Sequence, residues 1–433
     1  YSPSMGKLLK NSWALFTGYG IIMIAFGLQG NLLGVRSVIE DFSLLATGVL
    51  MSAYFIGYFI GANIVPNLVA RVGHVRVFAA FASMASLSIL VHAVVVNPLV
   101  WSIARFLTGM SMVSIFIVTE SWLNDRANNR SRGKLLSVYM FVTYGSIALG
   151  ALLLNFSSPI KFEPFILISL LLSIALMPIL LTKRQAPRFK KISPMKIKEL
   201  YKISPMGVVV SFCNGLVHSA IFSLTAVYAI KMGFSIFEIS LLIFLITIAG
   251  AVFQWPVGFI SDKMDRRKVI VYSSIISAFF AFLAIASFGT AAEVMYLSID
   301  WETNKIMFFI FVTIFAGFSL PIYAINIAHT NDYIPKEKFV AAGAGLQLVM
   351  GLGAIGGPIT CVIFMDNFGP SGFFIFLIIL QIVISVFGFY RMSVRPTEEN
   401  PDSTFTPLPR NITPLGIELD PTTGANLSNV DKK

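Results

Sequence analysis

Three ionisable side chains stand inside long apolar runs of this sequence and could do chemistry there: Arg105, Glu120 and His218. A charge in such a run faces a cavity or a partner, because hydrocarbon cannot solvate it. Arg105 could recognise an anion or assist proton transfer; the alternative is a strut bonded to carbonyls of the first helix. Glu120 could load and release protons; the alternative is a structural salt bridge with Arg71 or Arg76. His218, with Asn214 one helical turn earlier on the same face, is a candidate proton acceptor. Arg105 and Glu120 are separated by roughly 22 Å of helix at ~1.5 Å per residue, so they do not pair. Gln29, Asn31, Tyr54, Tyr58, Tyr323 and Asn326 complete a candidate cavity that is polar and aromatic with little fixed charge. That profile fits a small neutral, weakly anionic or amphipathic solute.

Other chemistries lack their residues. There is no G-x-x-x-x-G-K-[ST] phosphate loop for an ATP-driven pump. The four histidines are scattered, and Cys213 and Cys361 make neither a disulfide framework nor a metal site. No metal, cofactor or enzymatic activity is expected.

The elements that must position these residues are membrane helices. Hydrophobic residues make up 56% of the 433 positions and charged residues 12%, against ~45–50% and ~25% in soluble domains. Mean hydropathy is +0.80. Twelve apolar segments of spanning length recur, from roughly 13–35 to 371–391, without the alternation of membrane β-strands. With the first residues placed inside, 27 of the 32 Lys and Arg fall on inner connections or the tail. That asymmetry places both termini in the cytoplasm. It also explains the net charge of +11 without nucleic acid. A basic, proline-containing linker at 183–205 separates a first half, 1–182, from a second, 206–395. The tail, 396–433, is rich in Pro, Thr, Asn and Asp, and reads as disordered.

One motif is specific. After the eighth segment comes Gly258-Phe-Ile-Ser-Asp262-Lys263-Met-Asp265-Arg266-Arg267-Lys268, and a weaker copy with Arg71, Gly73 and Arg76 lies 192 positions earlier. The first copy has Ala70 where the second has Asp262. A repeat at half-chain spacing is expected of duplicated six-helix halves. These residues resemble motif A of the major facilitator superfamily, and Arg105-Phe-Leu-Thr-Gly109 resembles its motif B. Glu120-Ser121, Asn129–Met140 and Gln254–Gly258 are similar to the bacterial YcaD-like branch.

The resemblance implies an all-α polytopic protein of twelve transmembrane helices in two pseudo-symmetric halves. It also implies secondary transport by alternating access, with the first, fourth, seventh and tenth helices lining a central cavity. The expected setting is the bacterial inner membrane, with a monomer exchanging a small molecule, coupling to protons, and lipid as the other partner. A facilitated uniporter, a non-transporting receptor and a lipid flippase are the alternatives. By the same resemblance, Arg71, Gly73, Arg76, Gly258, Asp262, Arg266, Arg267 and Asp332 form a conformational latch at helix ends.

Overall fold

A computed structural model of the chain describes residues 5–181, 189–288 and 301–423. It contains twelve helices long and apolar enough to cross a membrane. They are α1 (Ser12–Ile39), α2 (Leu44–Val72), α3 (His74–Val94), α4 (Pro98–Arg126), α5 (Arg132–Asn155), α6 (Glu163–Leu180), α7 (Pro205–Lys231), α8 (Ile236–Ser261), α9 (Arg266–Ala286), α10 (Glu302–Asn331), α11 (Lys336–Phe368) and α12 (Gly372–Val394). Their starts follow from local chemistry. Asn97 accepts from the amides of Leu99 and Val100 ahead of Pro98, and Ser235 with Glu238 forms a reciprocal capping box on α8. Proline sets the interruptions: α8 breaks at Phe253 before Pro256, and α10 breaks around Pro321. Only Gly73 separates α2 from α3, at φ +89°, a conformation L side chains avoid.

The packing repeats between halves. Contacts of α1 with α5 and α6, of α2 with α4, and of α3 with α4 and α6 recur as α7 with α11 and α12, α8 with α10, and α9 with α10 and α12. Small residues allow the closest crossings. Gly57 lies on the Phe106 carbonyl and Gly109 on that of Tyr54, so α2 and α4 touch backbone to backbone.

The halves meet along α1 with α7, α2 with α11 and α5 with α8. We call the membrane face carrying the residue 189–205 connection the linker face and the other the distal face. At the distal face the halves are in direct contact. Gly34 packs on Ala226 and Val227, Gly48 on Val362, and Asn155 donates to Ser240 Oγ at 2.8 Å.

At the linker face the halves are spread around the C-terminal segment. The expectation of a disordered tail is corrected for residues 396–423; residues 424–433 lie outside the described ones. Leu408, Ile412, Leu415, Ile417 and Leu419 are all buried in the main core. Average composition concealed these spaced apolar residues, and their polar backbone is satisfied by the helices around them.

Candidate functional site

A cavity of about 520 Å³ runs between the halves. Arg105 and Asn31 stand toward its distal end, and the linker residues Phe189–Pro194 toward the linker face. Its walls come from α1, α2, α4, α7 and α11, with single residues from α5 and α8. The expected contribution of α10 is not among the lining residues; the tail and α11 stand there instead.

Of the residues singled out from sequence, Asn31, Tyr54, Tyr58, Arg105 and His218 line this cavity. The guanidinium of Arg105 lies over the Tyr54 ring, 4.6 Å from its centroid. Its Nε has no hydrogen-bond partner, and no carboxylate lies within ion-pair distance, among the described residues. The strut reading, with carbonyl bonds to α1, finds no such bond there. His218 sets its ring edge-on to Tyr323, centroids 5.3 Å apart.

The other candidates are buried elsewhere. Gln29 donates to Thr108 at 3.5 Å, the position of the motif B glutamine. Asn326 donates to the Gly207 carbonyl and to Ser211, tying α10 to α7. Asn214 is fully buried on α7, away from the cavity wall. Tyr323 donates to the carbonyl of Leu408 in the tail.

Glu120 also meets the tail. Its carboxylate accepts from the Tyr139 hydroxyl at 2.9 Å, the Thr413 amide at 3.1 Å, the Thr413 hydroxyl and the Gly416 amide at 2.9 Å. A set of donors alone suits a carboxylate, which has only acceptors to offer. The alternative salt bridge to Arg71 or Arg76 is not formed: both arginines are exposed, whereas Glu120 is fully buried.

Arg266 lies between Asp262, at 2.7 Å, and Asp332. The same guanidinium donates to the Ser403 carbonyl at 2.8 Å, while Asp262 accepts from the Phe405 amide at 2.8 Å. The Phe405 ring lies against Gly258, where any side chain would overlap it. Arg267 pairs with Asp265 at 2.8 Å and donates to the Arg395 carbonyl and to Thr397. Burial pushes the Asp265 carboxyl up, but the bonds from Arg267 and Thr397 outweigh it and hold it below the usual aspartate range. Asp420 has no such cation, and burial pushes its carboxyl up.

The sequence matches the family model described as Major Facilitator Superfamily over residues 15–299 and 235–423. The chain belongs to the major facilitator superfamily. Relatives include proteins named uncharacterized MFS-type transporter YcaD. The one from Escherichia coli is 25% identical over 370 residues, covering 84% of this chain and 91% of the relative; the one from Escherichia fergusonii is 23% identical over 365 residues, with the same coverage. Among solved structures, a variant of the nucleoside transporter NupG superposes with a TM-score of 0.73 at 11% identity, covering 88% of this chain and 99% of that one. The D-xylose-proton symporter gives 0.68 at 13% identity, covering 87% and 97%. At these identities the likeness establishes the fold alone.

Within this superfamily fold, Gln254 and Tyr144 hold the tail without having been site candidates in the sequence. Gln254 clamps Leu408 from both sides, Nε2 donating to its carbonyl at 3.1 Å and Oε1 accepting from its amide at 2.9 Å. Tyr144 accepts from the Arg410 amide, and Tyr58 donates to the Asn411 carbonyl. The signal that could have found them is the apolar spacing of Leu408, Ile412, Leu415 and Leu419. Arg410, counted among the inner charges, is half-buried with its guanidinium 3.3 Å from the Phe222 ring centroid.

Proposed function

We propose that this chain is a secondary transporter of the bacterial inner membrane that carries a small, weakly anionic solute by alternating access, coupled to protons. The charge of the cavity wall supports this reading. Arg105, Lys190, Lys191 and Arg410 line it, and no Asp or Glu does, among the described residues. Lys190 is paired with Glu418, but Arg105 has no anion. An unpaired cation on the cavity wall is an unmet demand for negative charge, and the surrounding Phe and Tyr rings lower the local polarity and strengthen that demand. The cavity volume lies within the usual range for small-molecule sites, roughly 300–1,000 Å³.

Closed distal contacts and a spread linker face fit one end state of alternating access. The excess of Lys and Arg on the linker face supports a cytoplasmic setting for that face. His218, on the cavity wall, is the candidate proton carrier. Glu120 is the second, and its present bonds tie it to the tail. The residues Asp262, Arg266, Arg267, Asp332 and Gly258, with the degenerate set Arg71, Gly73 and Arg76, act as the latch that changes with facing. Solved symporters of this fold, titled fucose:proton and D-xylose-proton symporters, lend the coupling reading precedent.

The test is a thermal-shift screen of the purified protein against small carboxylates, phosphates, sugars and nucleosides, followed by uptake of any hit into proteoliposomes. Stabilisation by anions and pH-gradient-driven uptake, the latter lost in His218→Gln, is the expected result. Binding without flux would instead identify a receptor, and uptake indifferent to the gradient a uniporter.

A further inference from the structure

The tail occupies the space between the halves in a particular way: its main chain is read, residue by residue, by side chains of both halves. From the first half, Tyr58 donates to the Asn411 carbonyl, Asn124 to that of Leu415 and Arg132 to that of Glu418, while Tyr144 and Glu120 accept the amides of Arg410, Thr413 and Gly416. From the second half, Gln254 takes both main-chain groups of Leu408, Arg266 takes the Ser403 carbonyl and Asp262 the Phe405 amide. Three glycines make the fit possible. A side chain at Gly416 would overlap the Glu120 carboxylate, one at Gly258 the Phe405 ring, and one at Gly343 the Ile417 side chain.

We infer that residues 403–420 are a built-in plug: a self-ligand that fills the linker-face vestibule, wedges the halves apart there, and must leave before the cavity can change facing. The vestibule is thus a peptide-binding site whose occupant is the chain's own tail. The wedge follows from geometry. For the linker face to close, the inner ends of α4 and α5 must approach those of α8 and α10, and the tail stands between them. The tail's main chain makes six of these bonds to the first half and four to the second, so the halves cannot approach each other there without breaking one set. The residues resembling motif A are used to hold the plug, through Asp262, Arg266 and Gly258. This inference rests on the alternating-access reading for its consequence, but the docking itself does not.

The test uses the full chain in lipid nanodiscs, with two measurements. Trypsin does not cut after Arg395, which precedes Pro396, so Arg410 is the first cleavable site of the tail. Cleavage there reports the undocked fraction. Wild type should resist, while Gly416→Leu and Gln254→Ala should each be cut at least about tenfold faster. Equal rates in all three would overturn the inference. The second measurement places nitroxides on the linker face at Arg130→Cys with Lys268→Cys, and on the distal face at Lys161→Cys with Lys231→Cys, all exposed positions. Wild type should give one distance population on each face. Gly416→Leu should add a second, shorter at the linker face and longer at the distal face. A released tail with unchanged distances on both faces would show that the segment is a strap without control over facing. It would leave the transporter reading standing.

Discussion

Replacing Arg105 by methionine separates its two readings. The side chain is 5% exposed, its Nε has no partner among the described residues, and its compensation is the face of Tyr54 at 4.6 Å. A desolvated cation–π contact contributes about 2 kcal/mol. Holding an unpaired cation away from water costs several kcal/mol. The empty protein therefore carries a net cost at this position, which an anion in the cavity would offset. Methionine keeps an unbranched apolar stem and removes the charge. By analogy with buried ion pairs replaced by apolar residues, Arg105→Met should be more stable than wild type by about 1–3 kcal/mol. The assay is thermal or denaturant unfolding in detergent, followed by tryptophan fluorescence, with and without an anionic ligand from the screen. A ligand at a hundred times its Kd stabilises by about 2.7 kcal/mol; wild type should show that increment and Arg105→Met should not. If the substitution instead destabilises the empty protein by 2 kcal/mol or more, on the order of a lost buried bond network, Arg105 is a strut and the argument for an anionic solute fails.

Other outcomes follow from the same geometry. Asp262→Asn weakens the bond to Arg266 and to the Phe405 amide outside the cavity, so it should alter turnover of the transported solute while leaving its binding constant within about twofold; a large loss of binding with normal turnover would place Asp262 in the solute site. Gly57→Leu drives a side chain into the Phe106 carbonyl where α2 and α4 touch, and should reduce folded yield sharply, whereas Gly145→Leu, facing open space, should not. Because the Asp265 carboxyl lies below its ordinary value of 3.8 in the fold, its stabilising contribution is full above that value and is lost as pH falls through the lowered one. Asp265→Ala should therefore lose stability at neutral pH, and its unfolding curve should flatten relative to wild type on acidification. A wild-type acid limb that survives the substitution unchanged would assign it to other carboxylates.

Much of the scaffold was legible because membrane helices are written in long apolar runs, and the basic pairs Arg71 with Lys263 and Arg76 with Lys268, each 192 positions apart, marked the pseudo-repeat. The cavity was half legible. Arg105, Tyr54, Tyr58, Asn31 and His218 stand on its wall, since a polar group in an apolar run must find something to face. Gln29 and Asn326 obey the same rule but face other helices, and one-dimensional spacing cannot distinguish a neighbouring helix from a cavity; the buried amide of Asn214 has no hydrogen-bond partner among the described residues. The partners of Glu120 were not legible because they lie nearly three hundred residues away, at Thr413 and Gly416. The tail was misread because the polar residues that lower its average hydropathy are stabilised by the vestibule, a surface that exists only after both halves have assembled.

The residues that fill the vestibule are synthesised after every span they contact. All twelve helices leave the ribosome before Ser403 does, so the bundle inserts around a gap that residues 403–420 seal afterwards. A premature stop between residues 395 and 403 would leave every span intact and remove the seal. In such a product, faults of membrane insertion and faults of closure would be separable: normal abundance and topology, with a vestibule left to water.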